Sequence, residues 1–157
     1  MVGRPFDTVS IIGAGTMGHG MAIVFATAER TVRLFDVDEN ALADARDAIE
    51  AGLDTLVEAG RISSDEAEEA MDRITFHSSY EPTVAETDLV IEAGPEDMDI
   101  KQDIFGRLDE LAPDDAILAT NPSGLSITEI ATAVDDPGRV VGAHWFNPPY
   151  IMPLVEV

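Results

Sequence analysis

VSIIGAGTMG, at residues 9–18, decides the fold, because an apolar β-branched run leads straight into three glycines. The run predicts a buried strand, and the apolar residues at 21–26 predict a helix after the turn. Gly13 permits a tight turn, Gly15 lets backbone N–H groups approach a pyrophosphate, and Gly18 lets the helix pack on the sheet. The spacing therefore predicts a phosphate-binding turn at the N-terminus of a helix. The other ligand-binding positions predicted in this turn are Ala14, Thr16 and Met17.

A second predicted strand, residues 32–35, ends in Asp36. An acid about twenty residues beyond the glycines can bind a ribose 2′-hydroxyl, and its charge repels the extra phosphate of NADP. Glycine-rich turns also occur by chance, and kinases use a similar pattern over ATP. The order of strand, turn, helix, strand and acid favours NAD as the cofactor over an incidental turn.

Length and composition predict one domain, residues 1–157, with a single buried core. The sequence contains no cysteine, no apolar run as long as a membrane span, and no basic-then-apolar leader. We therefore expect a cytoplasmic protein without disulfides, and we predict no metal site.

The charge balance is strongly acidic, with 31 Asp and Glu against 9 Lys and Arg and a net charge of -22. Lys101 is the single lysine. Such a surface repels nucleic acid and anionic membranes, so neither is an expected partner. One hypothesis is adaptation to a salt-rich cytoplasm, where salt screens the self-repulsion; the alternative is simply an acidic domain.

Two consecutive helices are predicted after the second strand. The first covers residues 40–59 and stops at Gly60, and the second begins at the cap sequence of residues 63–66. Two helices in succession predict an arm, about residues 40–73, that projects from the sheet instead of forming a simple crossover.

The rest of the chain alternates strands with helices. Strands are predicted at 74–76, 88–92, 116–120 and 140–143, and helices at 96–111 and 127–134. This alternation predicts an α/β fold with a doubly wound, mostly parallel sheet, in which ligands gather at the carboxyl ends of the strands. The residues at predicted strand ends, which we expect to line one crevice, are Gly13, Asp36, Glu92, Asn121 and His144.

Three histidines are candidates for a catalytic base. We interpret His77 as a solvated loop residue and His19 as a surface residue of the first helix. A strand delivers His144 to the crevice edge, and Glu156 follows twelve residues later. If these two touch, the carboxylate would orient the imidazole, as a base that removes a hydroxyl proton requires. The alternative is a structural histidine held by hydrogen bonds in a loop.

Four segments resemble one family throughout: GAGTMGHG (13–20), IEAGPED (91–97), NPSGLSITEIA (121–131) and GAHWFNPPYIMPLVEV (142–157). They are similar to the NAD-binding Rossmann domain of the (S)-3-hydroxyacyl-CoA dehydrogenases, including the 3-hydroxybutyryl-CoA enzymes. The resemblance implies oxidation of the 3-hydroxyl of an acyl-CoA by NAD, or the reverse reduction, in fatty acid β-oxidation or butanoate metabolism.

The resemblance also implies roles for individual residues. His144 matches the family's catalytic base, Glu156 its paired acid, and Ser123 a serine that contacts substrate and cofactor. Pro122 and Gly124 flank this serine, where relatives have Thr and then Ser or Thr. Residues matched to the NAD site are Asp36, at the adenosine ribose, and Glu96, Lys101, Ser123 and Asn147.

The two-helix arm matches the part of the family that embraces CoA. Gly52 and Ala59 stand where relatives carry serine or asparagine and lysine, so we expect weak or salt-dependent CoA binding. The cations that remain on the arm for CoA phosphates are Arg46, Arg61 and Arg73.

Family members continue past this last motif into a helical domain that forms the dimer and supplies an active-site asparagine. We therefore expect a fragment, a truncated product, or a domain that pairs with a separate chain or forms a homo-oligomer. Two other functions stay open: a non-catalytic NAD-binding module, and a dehydrogenase of the same superfamily that acts on free hydroxy acids such as gulonate.

Overall fold

The computed structural model describes residues 6–122 and 124–157. One sheet of six parallel strands forms its centre, in the order β3-β2-β1-β4-β5-β6. The strands are β1 (Thr8–Ile12), β2 (Thr31–Phe35), β3 (Ile74–His77), β4 (Leu89–Glu92), β5 (Ile117–Thr120) and β6 (Val140–Gly142). This order makes a doubly wound Rossmann sheet whose direction of winding changes between β1 and β4, which confirms the predicted fold class.

Helices cover both faces of the sheet. They are α1 (Thr16–Thr27), α2 (Glu39–Glu58), α3 (Ser64–Asp72), α4 (Tyr80–Val84), α5 (Met98–Leu111) and α6 (Ile127–Ile130), with 3₁₀ turns at Ala131–Ala133 and Pro137–Arg139. The predicted helix at 96–111 begins at Met98, because the Asp97 side chain accepts a hydrogen bond from the Ile100 N–H and so caps it. The predicted helix at 127–134 changes to a 3₁₀ turn after Ile130, and α4 was not predicted.

Successive side chains of the strands pack alternately into two hydrophobic cores, one on each face of the sheet. Ile11 points to the face covered by α1, α2 and α3, and its neighbour Ile12 points to the face covered by α4, α5 and α6. Ile11 and Ile12 are both almost fully buried, as expected for a parallel sheet with helices on both sides.

The two-helix arm packs on α1. Its helices end and begin as predicted: Gly60 has a left-handed φ of +67° after α2, and Ser63 and Glu66 form a capping box at α3. The buried stripe of α2, with Ala45 and Ile49, joins the same core as α1 and the sheet. The arm is therefore a second layer over α1, and it also makes the connection from β2 to β3.

A separate two-stranded antiparallel sheet follows β6. It consists of β7 (His144–Trp145) and β8 (Val155–Glu156), and its register places His144 opposite Glu156. The sequence analysis did not predict this pairing. Within residues 6–122 and 124–157, no helix combines the length and apolar character needed to span a membrane.

Candidate active site

The glycine turn joins β1 to α1 where the winding of the sheet changes direction. Gly13 has a φ of +108°, and a Cβ there would lie 2.8 Å from the Ala93 carbonyl oxygen, so the ends of β1 and β4 approach closely. A Cβ on Gly18 would overlap the Gly13 carbonyl oxygen. Glycine at both positions therefore lets the turn, the strand and the helix meet.

Gly15 differs, because it faces open space. No heavy atom of the described residues outside its own neighbours lies within 4 Å of a Cβ built on it. The side chain of the N-cap residue accepts a backbone hydrogen bond at the start of α2, α3, α5 and α6. The N-cap of α1 is Gly15, which has no side chain to cap the helix. The first N–H groups of α1 therefore stay available for an anion such as a diphosphate.

A cavity of about 660 Å³ opens beside this turn. Its walls include Gly13 and Gly15, and Asp36 at the end of β2. The Asp36 carboxylate accepts hydrogen bonds from the N–H of Ala14 at 2.9 Å and from the N–H of Asp38 at 3.0 Å. Asp36 thus fastens the glycine turn to β2 and presents negative charge to the cavity, as a site for ribose hydroxyls requires.

Glu92, at the carboxyl end of β4, forms a buried network with Lys101 of α5. The Lys101 Nζ donates to both carboxylate oxygens, at 2.9 and 2.8 Å, and both side chains are 0% exposed. Thr120 Oγ1 donates at 2.8 Å and the Gly94 N–H at 2.6 Å. Four hydrogen bonds therefore satisfy this buried carboxylate.

The resemblance predicts that Lys101 lines the NAD site; in the structure its side chain is 0% exposed and bound to Glu92. Lys101 is not among the described residues that line the cavity, whereas its neighbour Ile100 is exposed there. The buried carboxylate of Glu92 is the physical reason, because the ammonium group neutralises it inside the core.

The loops after β4 and β5 are tied together. The Gly124 N–H donates to Glu96 Oε1 at 3.0 Å, and the Trp145 N–H donates to Asn121 Oδ1 at 2.9 Å. Glu96 and Asn121 thus hold the β5–α6 loop and β7 beside the end of β4. Ser123, the predicted substrate and cofactor contact, lies in this loop but outside the described residues.

His144 and Glu156 meet across the β7–β8 pair. The His144 Nδ1 lies 2.8 Å from Glu156 Oε2, and the two side chains are 36% and 65% exposed. They line a second cavity of about 340 Å³, together with Gly124 and Ala143. Because the carboxylate engages Nδ1, Nε2 is the ring nitrogen left to exchange a proton with a ligand.

The crevice expected to contain all the strand-end residues is divided in two. The first cavity lies at the ends of β1, β2 and β4, and the second lies at the ends of β5 and β6; they share no lining residue among those described. Both open at the carboxyl edge of the same sheet, and the Glu96–Gly124 hydrogen bond lies between them. A ligand that used both would have to extend across this edge.

Two other predicted positions lie outside these cavities. Asn147, matched to the NAD site, is exposed and is not among the described residues that line either cavity. Gly52, matched to a CoA-facing position, is buried; a Cβ there would overlap the Ile23 side chain and lie 3.4 Å from the Tyr150 ring. This position is therefore a packing contact with α1 and Tyr150.

Most of the other arginine and histidine side chains discussed above contact neighbouring residues. Arg46 stacks on the Phe76 ring, and Arg73 binds Glu69 at 3.0 Å and the Ala26 carbonyl. Within residues 6–122 and 124–157, Arg61 is the arm arginine with neither an ion pair nor a ring contact described. His77 is the last residue of β3 and not a loop residue, with Nε2 2.8 Å from Thr75 Oγ1; burial and then the Arg33 charge lower its pKa. His19 is partly buried on α1.

Residues 8–157 match the family described as "3-hydroxyacyl-CoA dehydrogenase, NAD binding domain". The chain is 41% identical to 3-hydroxyadipyl-CoA dehydrogenase of Escherichia coli, over 96% of this chain and 32% of the relative. It is also 41% identical to 3-hydroxybutyryl-CoA dehydrogenase of Clostridioides difficile, over 95% and 53%. Among solved structures, FadB2 of Mycobacterium tuberculosis superposes with a TM-score of 0.93 at 37% identity, over 97% of this chain and 53% of that one. The chain thus spans a third to a half of these relatives.

Proposed function

Because the chain belongs to the family of NAD-binding domains of 3-hydroxyacyl-CoA dehydrogenases, we propose that it supplies the NAD site and the proton-transfer pair of such an enzyme. NAD is accordingly its cofactor. The proposed substrate is a (S)-3-hydroxyacyl-CoA, oxidised to the 3-ketoacyl-CoA or formed from it by the reverse reaction.

The residues present fit NAD. The uncapped N-terminus of α1 and the open side of Gly15 would hold the diphosphate, and Asp36 would bind the adenosine ribose. Glu96, beside the second cavity, would face the nicotinamide half. When bound, NAD supplies the carbon that accepts the hydride from C3 of the substrate.

His144 performs the proton transfer in this proposal. Its Nε2 takes the proton of the 3-hydroxyl as the hydride leaves C3, and in the reduction it returns that proton to the carbonyl oxygen. Glu156 holds Nδ1 as the protonated nitrogen and stabilises the imidazolium that forms. Ser123 is proposed to help hold the reacting oxygen.

One observation carries the proposal: the 2.8 Å contact between His144 and Glu156 lies at the same sheet edge as the glycine turn. The spacing of the two residues in the sequence did not by itself establish that contact. The remaining contacts to acyl-CoA are proposed to come from a helical domain, supplied by a separate chain or by further sequence, since the relatives are two to three times as long.

The test is an NAD titration of the chain followed by an acetoacetyl-CoA reduction assay. His144→Ala is expected to lower turnover by about 10²- to 10⁴-fold while NAD affinity stays unchanged. His77→Ala, which removes an imidazole outside both cavities, is the matched control. Retained turnover in His144→Ala would contradict the assigned role.

The same assay separates the alternatives. NAD binding with no turnover in the unmodified chain would favour a non-catalytic module. Turnover on free hydroxy acids in place of CoA esters would favour a different dehydrogenase.

A further inference from the structure

The segment that carries His144 follows β6 directly, and two hydrogen bonds hold it to the end of β5. The Ala143 N–H donates to the Thr120 carbonyl at 2.8 Å, and the Trp145 N–H donates to Asn121 Oδ1 at 2.9 Å. Alternate N–H groups of a strand point to the same side, so both bonds are made on the side of β5. His144 therefore lies between two backbone anchors to the large sheet.

The second anchor is a side chain because the ladder between β5 and β6 ends here. Thr120 pairs with Gly142 in the parallel register. A regular ladder would next offer the Trp145 N–H the backbone carbonyl of Pro122. Because β5 ends at Thr120, Asn121 supplies its side-chain carbonyl in place of a backbone one. The bond thus continues the ladder past the ends of both strands.

The β7–β8 pair needs such an anchor because it is very short. Each strand has two residues, and an isolated two-stranded pair is marginally stable at best in water. His144 and Glu156 stand opposite each other in this pair, and neither side chain is buried. Their contact therefore depends on what fixes β7 to the large sheet.

Packing alone does not fix the register of β7. The Trp145 ring meets the Phe25 ring of α1 edge-on at 5.8 Å, and such a ring contact tolerates small displacements along the strand. The hydrogen bond to Asn121 is directional and does not. A displacement of about 1 Å at a catalytic group can lower turnover about 100-fold, so the register of β7 bears directly on the reaction.

We propose that Asn121 is a positioning residue whose side-chain carbonyl holds β7 in register and thereby keeps His144 Nδ1 on Glu156. The inference rests on the proposed function for the role of His144 as the base. Asn121 acts through the backbone of Trp145 and is not among the described residues that line either cavity. Its amide nitrogen takes no part in this role.

The test compares two substitutions. Asn121→Leu removes the acceptor at similar volume, and Asn121→Asp keeps an oxygen acceptor but loses the amide donor. Nitrogen-15 NMR of the imidazole rings measures the tautomer of His144 at about pH 8.5, where a free histidine is neutral. We expect the Nδ1–H tautomer to predominate in the unmodified protein, to fall at least about twofold in Asn121→Leu, and to persist in Asn121→Asp.

Turnover provides the second measurement. In acetoacetyl-CoA reduction, Asn121→Leu should lower kcat by about 10- to 100-fold with KM unchanged within about twofold, and Asn121→Asp should stay within about threefold of the unmodified protein. A residue that only stabilised the fold would leave kcat of the folded protein unchanged. If Asn121→Leu does not fold, Asn121→Gln moves the acceptor by one methylene and should give intermediate losses in both measurements.

The matched control is Gln102→Leu, which removes another amide-to-backbone bond, from Gln102 Nε2 to the Glu129 carbonyl at 2.8 Å between α5 and α6. It should leave the tautomer and kcat unchanged. An unchanged tautomer in Asn121→Leu, or no rescue by Asn121→Asp, would overturn the inference and leave the proposed function intact. Absence of turnover in the unmodified protein would instead overturn the proposed function, and the tautomer series would still decide whether Asn121 positions the imidazole.

Discussion

Two carboxylates at the carboxyl edge of the same sheet each bind one basic side chain, and the two pairs differ in burial. Glu92 and Lys101 approach to 2.8 Å with both side chains 0% exposed, and His144 and Glu156 approach to the same 2.8 Å at 36% and 65% exposure. The distance therefore does not separate their roles. The buried pair cannot exchange protons with a substrate, and the exposed pair can.

The partners of each pair strengthen this contrast. Glu92 also accepts hydrogen bonds from Thr120 and Gly94, so the buried pair links β4, β5 and α5 beneath the cavity. Glu156 holds a single imidazole nitrogen and leaves the other for chemistry. The buried pair thus supports the shape of the edge, and the exposed pair is accessible for the proton transfer proposed above.

The largest expected effect is on chemical labelling of Lys101, the single lysine. Because the ammonium group is fully buried, an amine-reactive ester should modify it at least about a thousandfold more slowly in the native protein than in denaturant. Peptide mass spectrometry of the labelled protein measures both rates. If Lys101 instead lined the NAD site, it would label in the native state and NAD would protect it.

Removing one partner of the buried pair should give the next largest effect. Lys101→Met or Glu92→Gln is expected to lower the free energy of unfolding by about 3–5 kcal/mol, because the remaining group loses its partner inside the core. Urea denaturation measures the loss. The double variant Glu92→Gln/Lys101→Met should cost less than the sum of the single variants; additive losses would show that the two side chains act independently.

The glycine turn, the alternation of elements and the helix caps were predictable because each depends on local chemistry. Gly13, Gly18 and the Ser63 cap act through the backbone within a few residues, and the doubly wound sheet follows from the element order. The burial of Lys101 was missed, although it shares the helical stripe of Ile104 and Leu108. A lysine in such a stripe indicates a buried acid elsewhere, and that acid could not be located before β4 and α5 were placed together.

The sequence could not establish the His144–Glu156 contact, for a different reason. Eleven residues with several prolines separate the two side chains, and neither hydrophobic periodicity nor turn chemistry specified an antiparallel pairing between β7 and β8. The position of Gly52 could not be obtained from matched motifs, because its burial by α1 and Tyr150 depends on tertiary packing.

Breaking the exposed pair should affect stability much less than breaking the buried one. Glu156→Gln is expected to change the free energy of unfolding by less than about 1 kcal/mol, since exposed pairs contribute little. Turnover should fall about tenfold or more, because the neutral amide no longer stabilises the charged form of the imidazole. Denaturation and the reductase assay on the same sample measure both. A loss of several kcal/mol would show that the β7–β8 pair is structural.

The smallest expected effects are those of salt on the stability of the protein and of its variants. Raising KCl from about 0.1 M to about 1 M shortens the screening length from about 10 Å to about 3 Å, and this should raise the melting temperature of a chain with a net charge of -22. The cost of Lys101→Met should stay the same within about 0.5 kcal/mol, because salt does not screen a pair inside the core. The small cost of Glu156→Gln should disappear. A melting temperature that does not depend on KCl would contradict the hypothesis of a salt-adapted surface, and a salt-dependent cost of Lys101→Met would contradict the burial of that pair.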